Sequence, residues 1–301
     1  MDGSTGENGD NGTFGTRTLG PVVAGTDGSD HATRAVLWAA GEAASRRGPL
    51  TIVHAIGVEQ ARYLAFDDTH TVLGKARETL DTAAARVARE HADVPVSTVL
   101  SRDEPAESLL EAAGEDGTVV VGSRGRGGFT ALLMGSVGLR TAARAKGPVI
   151  VVRHTTEGTG GVVAVAVRDD GDRDALTYAA RTARLRHASL RVVSVWLFLQ
   201  NVGSMATMVD DLSGMAEAEG EATSHMVEPV RKEFPDLEVV VETVRATSVA
   251  GALVEAAADA AADLLVMGAR RPAHRIGSPL GRVTHAVLHH APCPVAVVPR
   301  A

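Results

Sequence analysis

Three stretches from the first half of the chain return in the second half, in the same order. "PVVAGTDGSDHATRAVLWAA" (Pro21–Ala40) is matched by "GVVAVAVRDDGDRDALTYAA" (Gly161–Ala180), and "AESLLEAAGEDGTVVVGSRG" (Ala106–Gly125) by "AGALVEAAADAAADLLVMGAR" (Ala250–Arg270). "GSVGLRTAARAKGPVIVVRH" (Gly135–His154) is matched by "GRVTHAVLHHAPCPVAVVPR" (Gly281–Arg300). One folding unit of roughly 140 residues, used twice, must therefore account for the chain. The 301 residues divide into a tail at 1–18, a first domain at 19–154, a linker at 155–160 and a second domain at 161–301. The linker is polar and glycine-rich. The tail "MDGSTGENGDNGTFGT" has neither the basic start nor the apolar middle of a secretory signal, and reads as disordered.

Within the first unit short β-branched runs alternate with helical patterns. Val22–Thr26, Leu50–Ala55, Val94–Ser101, Thr118–Val121 and Val149–Val152 read as strands. Asp30–Arg47, Thr69–His91, Pro105–Ala113 and Ser136–Ala145 read as helices, the first with Ala35, Val36, Ala39, Ala40 and Ala43 on one face. Alternating strands and crossover helices predict α/β architecture, here two tandem doubly wound parallel sheets of five strands each. Aromatics make up only 3% of the residues, so Val, Leu, Ile and Ala must build the core. In such sheets a ligand sits beyond the carboxyl ends of the strands, where strand order reverses.

Two loops stand at that edge: "GTDGS" after the first strand and "GSRGRGGFTALLMGS" (Gly122–Ser136) after the fourth. The second holds five glycines in fifteen residues, a concentration that marks close approach by something else. It is not a P-loop, because it contains no lysine, and its glycines do not fit G-x-G-x-x-G. What it has is G-x-x-G, nine residues, then G-S. That spacing lets N–H groups at Gly122 and Gly125 approach an anion, with Gly135, Ser136 and Val137 presenting the start of the next helix. Ser136 serves either as a helix cap or as a hydroxyl donor, and Asp27 either as a turn-forming side chain or as a ligand contact. Arg124 and Arg126 are either solvated or neutralise phosphate.

The G-x2-G-x9-G-S spacing of Gly122, Gly125, Gly135 and Ser136, with "GTDGS" at the first strand and "GPVIVVR" at the last, resembles the universal stress protein family in its tandem two-domain form. The resemblance covers residues 19–301. It implies strand order 3-2-1-4-5 in each domain, an adenine-nucleotide alpha-hydrolase-like fold, and ATP, with Mg2+ on its phosphates, as the ligand. The phosphate contacts it implies are Gly122, Gly125, Gly135, Ser136 and Val137. Asp27 would stand near the ribose and phosphates with Gly25 and Thr26 beside it, and Ala55 would offer its backbone to adenine. It also implies pairing of last strands, as a homodimer or as an internal pseudo-dimer of "GPVIVVR" with "CPVAVVP". The role implied is a nucleotide-linked stress-response regulator with an unidentified protein partner, and the lack of a secretory signal or a spanning run makes the cytoplasm the expected location. A slow ATPase and a nucleotide-independent interaction protein are the alternatives.

Aligning the copies sets Gly268 against Gly122, Arg271 against Gly125, Gly281 against Gly135, Arg282 against Ser136 and Val167 against Asp27. The second domain is accordingly expected not to bind ATP in the family manner. The alternative there is a different anion site built from Arg270, Arg271, Arg275 and Arg282, with Ser278–Pro279 starting the helix early.

Other chemistries find little support. A net charge of −7 disfavours nucleic acid and anionic lipid as partners. The apolar run Val192–Leu199 is far too short to span a membrane. The single cysteine, Cys293, excludes an internal disulfide and reads as a packing residue. His285, His289 and His290 near Cys293 suggest zinc, but no second ligand pair accompanies them. No nucleophile elbow is present, so no catalytic residue is assigned. The methionine-rich stretch Gln200–Val230 fits either core filling or a partner surface.

Overall fold

The computed structural model describes residues 19–57, 69–125, 135–153, 161–197, 211–269 and 280–300. The first repeat contributes β1 (Val22–Gly25), α1 (Asp30–Ser45), β2 (Leu50–Ala55), α2 (Thr69–Glu90), β3 (Val96–Ser101), α3 (Pro105–Ala113), β4 (Thr118–Gly122), α4 (Ser136–Arg144) and β5 (Val149–Val152). The second contributes β6 (Val162–Val167), α5 (Arg173–Leu185), β7 (Ser189–Leu197), α6 (Asp211–Glu233), β8 (Val239–Ala246), α7 (Val249–Asp259), β9 (Leu264–Ala269), α8 (Arg282–His290) and β10 (Val295–Pro299). The predicted tail and the linker lie outside the described residues.

Local chemistry explains the elements that frame the site. Ser29 caps α1, its Oγ accepting the Ala32 N–H at 3.2 Å. Behind that cap Ala32, Ala35, Ala39, Ala40 and Ala43 are buried, and side chains this small let the helix lie close to the strands. Pro105 opens α3, where a missing N–H costs nothing. β4 reads "TVVVG" and has its first four residues buried, the continuous apolar pattern of a strand covered on both faces.

Each repeat has the predicted order, since the sheet runs β3-β2-β1-β4-β5-β10-β9-β6-β7-β8. The two sets of five are joined, however, into one ten-stranded sheet. At the seam β5 and β10 pair antiparallel, Val295 opposite Val151 and Val297 opposite Val149, which is the internal one of the two pairings that the family resemblance implied. The other neighbouring strands of the sheet pair in parallel. The seam gives each last strand a hydrogen-bonding partner, so neither presents an open edge.

Both apolar layers cross the seam. On one face α1, α2, α5 and α6 cover residues such as Ala24, Ile52, Val165 and Val192. On the other α3, α4, α7 and α8 cover Val23, Val121, Ala164 and Leu265. The repeats therefore share two cores and do not each close their own.

Candidate functional site

The switch point of the first repeat lies between β1 and β4, and both loops named from the sequence leave the sheet there. Thr26 is anchored first. Its N–H donates to Val53 O at 2.9 Å, its carbonyl accepts from His54 Nδ1 at 2.7 Å, and its Oγ1 accepts the Gly28 N–H at 3.2 Å. Gly28 then turns the chain at φ 78°, a left-handed value suited to glycine. Asp27 Oδ1 accepts the Ser29 N–H at 3.0 Å, so the aspartate does form the local turn. Ala55 ends β2 two residues beyond the Gly25–Val53 pair, which places it level with Asp27.

The motif glycines have different physical reasons. A Cβ at Gly122 would lie 2.7 Å from the His31 carbonyl oxygen, so what comes close to Gly122 is the first turn of α1. A Cβ at Gly125 would lie 2.7 Å from Asp27 Oδ2, which puts the glycine loop directly against the aspartate of the first strand. At Gly135 the backbone has φ −71° and a Cβ would come no nearer than 3.6 Å to Arg124 Cα and Ser123 O. The described fold thus has no use of its own for glycine at 135.

Gly135, not Ser136, is the cap residue of α4, which corrects the capping alternative for Ser136. The Gly135 N–H is taken by Ser123 O at 2.7 Å. The N–H groups of Ser136 and Val137, in the first turn, have no partner within the helix by construction. Ser136 is exposed and Val137 half-buried. Ser123 Oγ, in the loop itself, is buried with no hydrogen-bond partner among the described residues. Cations flank the crevice: Arg34 donates to His31 Nδ1 at 2.9 Å, and burial, Arg34 and Arg124 together hold the His31 imidazole below its usual pKa. Arg126 lies outside the described residues.

Comparison with known proteins agrees with this geometry. The profile of the universal stress protein family matches residues 19–153 and again residues 161–299. The chain belongs to the universal stress protein family. A universal stress protein of Mycobacterium tuberculosis H37Rv is 29% identical over 290 residues, spanning 95% of this chain and 98% of the relative. Another from the same strain is 36% identical over 135 residues, 45% of this chain and about half, 46%, of that relative's length. The crystal structure of a universal stress protein from Archaeoglobus fulgidus has the same fold, with a TM-score of 0.66 at 20% identity over 94% of this chain and 97% of its own.

The second universal stress protein repeat departs from the first in a way the alignment of sequences misplaced. Val22 pairs with Leu50 and Thr118, whereas Val163 pairs with Leu190 and Leu264. Val163 is therefore the counterpart of Val22, Val167 stands in the place of Thr26, and Arg168 in that of Asp27. Arg47 and His187, both left-handed at φ 51° and 54°, still correspond, so the connection after the first strand is one residue shorter in the second repeat.

That shorter connection brings a carboxylate into the crevice. Asp172 Oδ2 accepts the Arg168 N–H at 2.9 Å, and its Oδ1 accepts from Arg300 Nε at 2.7 Å. The Arg300 guanidinium also meets the second Asp172 oxygen, and Asp169 at 3.3 Å, with the Arg300 and Asp172 side chains 8% and 5% exposed. A Cβ at Gly268 would overlap Asp172 Oδ1. In place of the crevice between Asp27 and Gly125 the second repeat has a buried ion pair. Its α8 starts at Arg282 after Gly281 at φ 77°, later than an early start at Ser278 would give. Arg270, Arg271, Arg275, Ser278 and Pro279 lie outside the described residues.

Cys293 and Met226 are packing residues. Cys293 is 1% exposed and burial pushes its thiol up to about 12. His285 and His289 Nε2 atoms stand 3.2 Å apart, yet no group of three metal-ligating side chains occurs among the described residues. Met226 packs against the core, while residues 200–210 lie outside the described chain. Among the described residues no helix is long and apolar enough to cross a membrane. The Asp172–Arg300 pair and the enclosure of Glu42 by Arg186 were invisible in the sequence, since the partners stand 128 and 144 residues apart in the chain.

Proposed function

We propose that this universal stress protein binds ATP in its first repeat, between residues 19 and 154, and works as a nucleotide-linked stress-response regulator and not as an enzyme. The observation that carries this reading is the contact of Gly125 with Asp27 Oδ2, which closes the glycine loop onto the end of β1 at the switch point. Gly135 adds to it, because neither its backbone angle nor its described neighbours call for glycine, whereas a close phosphate would.

In this reading Ser136 and Val137 give their first-turn N–H groups, and Ser136 its hydroxyl, to phosphate. Gly122 and Gly125 keep the loop low, Gly25 and Thr26 set the strand end, Asp27 faces the ribose and phosphates, and Ala55 lies beside the base. Mg2+ would travel on the phosphates and neutralise them. Asp27 Oδ2 stands against Gly125 of the loop and would add one oxygen to the ion. The second repeat, with Asp172 and Arg300 in its crevice, takes no nucleotide.

The test is to purify the chain without added nucleotide, denature it, and quantify ATP, ADP and AMP by chromatography against a Gly135→Arg/Ser136→Arg control. One ATP per parent chain and none in the control supports the reading. ADP in its place favours turnover, and no nucleotide together with no stabilisation by added ATP removes the proposal.

A further inference from the structure

Beside Thr26 and Gly28, but on the α1–α2 face of the sheet, a groove of about 360 Å³ runs between the start of α1 and the length of α2. Its walls include Thr33 from α1 and Lys75, Thr79, Thr82 and Arg86 from α2, with Thr26 at one end. The volume falls at the lower end of the range for small-molecule pockets. The α2 residues recur every three or four positions, so they form one stripe along the helix. The neighbouring stripe, Ala76, Leu80 and Val87, is the one buried against the sheet.

The hydrogen-bonding chemistry of the stripe is specific. Thr33 Oγ1 donates to Ser29 O at 3.0 Å and Thr79 Oγ1 donates to Lys75 O at 2.9 Å. With their protons committed, these hydroxyls offer lone pairs to the groove. Glu78, also on the wall, is an acceptor too. The donors and the positive charge come from Lys75 and Arg86, the latter also held by Glu90 at 3.2 Å. Among the described residues no aromatic side chain lines the groove. A ligand that satisfies these groups carries an anion for the cations and several hydroxyls to donate to the threonines and Glu78.

The second repeat shows that the fold does not require this stripe. Val96 pairs with Leu50 and Val239 with Leu190, so α2 and α6 end in the same register. Val230 then stands for Val87 and Thr223 for Leu80, and all four are buried. In that register Lys75 is replaced by Ala218, Thr79 by Ala222 and Arg86 by Pro229. The positions of Leu80 and Val87 stay buried in the second repeat, and both cations are lost.

We propose that this groove is a second ligand site of the first repeat, separate from the glycine loop, and that it takes a phosphorylated polyol of the sugar-phosphate class. Occupancy of the loop by ATP is not required for it. The experiment is calorimetric titration of the full chain with ribose 5-phosphate, with and without saturating ATP. Variants Lys75→Ala and Thr79→Ala copy the second repeat, and alanine is the best helix former, so the fold is retained.

One saturable site in the parent is expected, present also under ATP, weakened at least tenfold by Lys75→Ala and less by Thr79→Ala. ATP binding in the Lys75→Ala variant should stay within about twofold of the parent. No saturable binding of ribose 5-phosphate would overturn the proposal. So would binding that survives Lys75→Ala but vanishes in Gly135→Arg/Ser136→Arg, because the glycine loop would then be the site. Inorganic phosphate binding as tightly as ribose 5-phosphate would remove the polyol.

Discussion

Arg186, just past the end of α5, reaches across the seam to Glu42 of α1, and its Nε lies 3.1 Å from Glu42 Oε2. Arg46 holds the other oxygen, with Nε at 2.9 Å, and extends to Gly20 O, Thr118 Oγ1 and Tyr178 OH. The Arg186 guanidinium also lies 4.6 Å from the Trp38 ring centroid. A single carboxylate, 2% exposed, thus balances two guanidiniums, one from each repeat.

Removing it leaves the buried Arg46 and the half-buried Arg186 without their counter-charge. Glu42→Ala is expected to destabilise the protein by about 3–5 kcal/mol, the usual consequence of breaking a buried pair on one side. Urea unfolding followed by fluorescence and circular dichroism checks this. The parent should unfold in one transition, because the two cores cross the seam, and the variant should lose that coincidence between probes.

The same carboxylate sets an acid limb of stability. Burial alone would raise the Glu42 pKa, but Arg186 and Arg46 outweigh it and hold the value below the ordinary 4.5. A carboxyl depressed on folding stabilises above its unfolded pKa and loses that contribution as pH falls through the folded one. The urea midpoint of the parent is therefore expected to fall as pH drops below about 4.5, and Glu42→Gln should lack the part of that slope due to Glu42.

Gly122 and Gly125 should separate folding from binding. Gly122→Ala sets a methyl against the His31 backbone and is expected to cost about 1–3 kcal/mol of stability, the range for overpacking. Among the described residues Gly125→Ala meets only the Asp27 carboxylate, so stability should change by less than about 1 kcal/mol while ATP affinity falls at least tenfold. Thermal melts with and without ATP read both effects. Equal loss of ATP affinity and stability in both variants would contradict this division.

Arg300→Met strands the Asp172 carboxylate at 5% exposure and is expected to lower stability by about 3 kcal/mol. Asp172→Asn in the same chain should restore part of that loss, since the stranded charge is gone. Nucleotide counts should stay at one per chain in both, measured after denaturation; a second nucleotide would show that the ion pair had been masking a competent site.

Cys293 should be silent in the native state. With its thiol pushed up to about 12, only about one molecule in ten thousand carries a thiolate at pH 8. Iodoacetamide labelling followed by intact mass should show no adduct in buffer and one in denaturant.

The duplication, the alternation of strands and helices, and the glycine loop were determined by the sequence alone, because periodicity and spacing act over a turn or a strand. The strand order of each repeat followed from the family resemblance. Tertiary structure decided what lies opposite what. The one-residue shortening after β6 moved Arg168 into the place of Asp27, and only the pairing of Val163 with Leu190 and Leu264 reveals it. Gly122 proved to make room for a helix, and Gly125 for an aspartate. Glu42 lies on the helix read from the sequence at Asp30–Arg47, but its partner Arg186 stands 144 residues away in the chain. Such contacts are set by how two sheets meet at β5 and β10, where burial makes each charge depend on a residue from the other repeat.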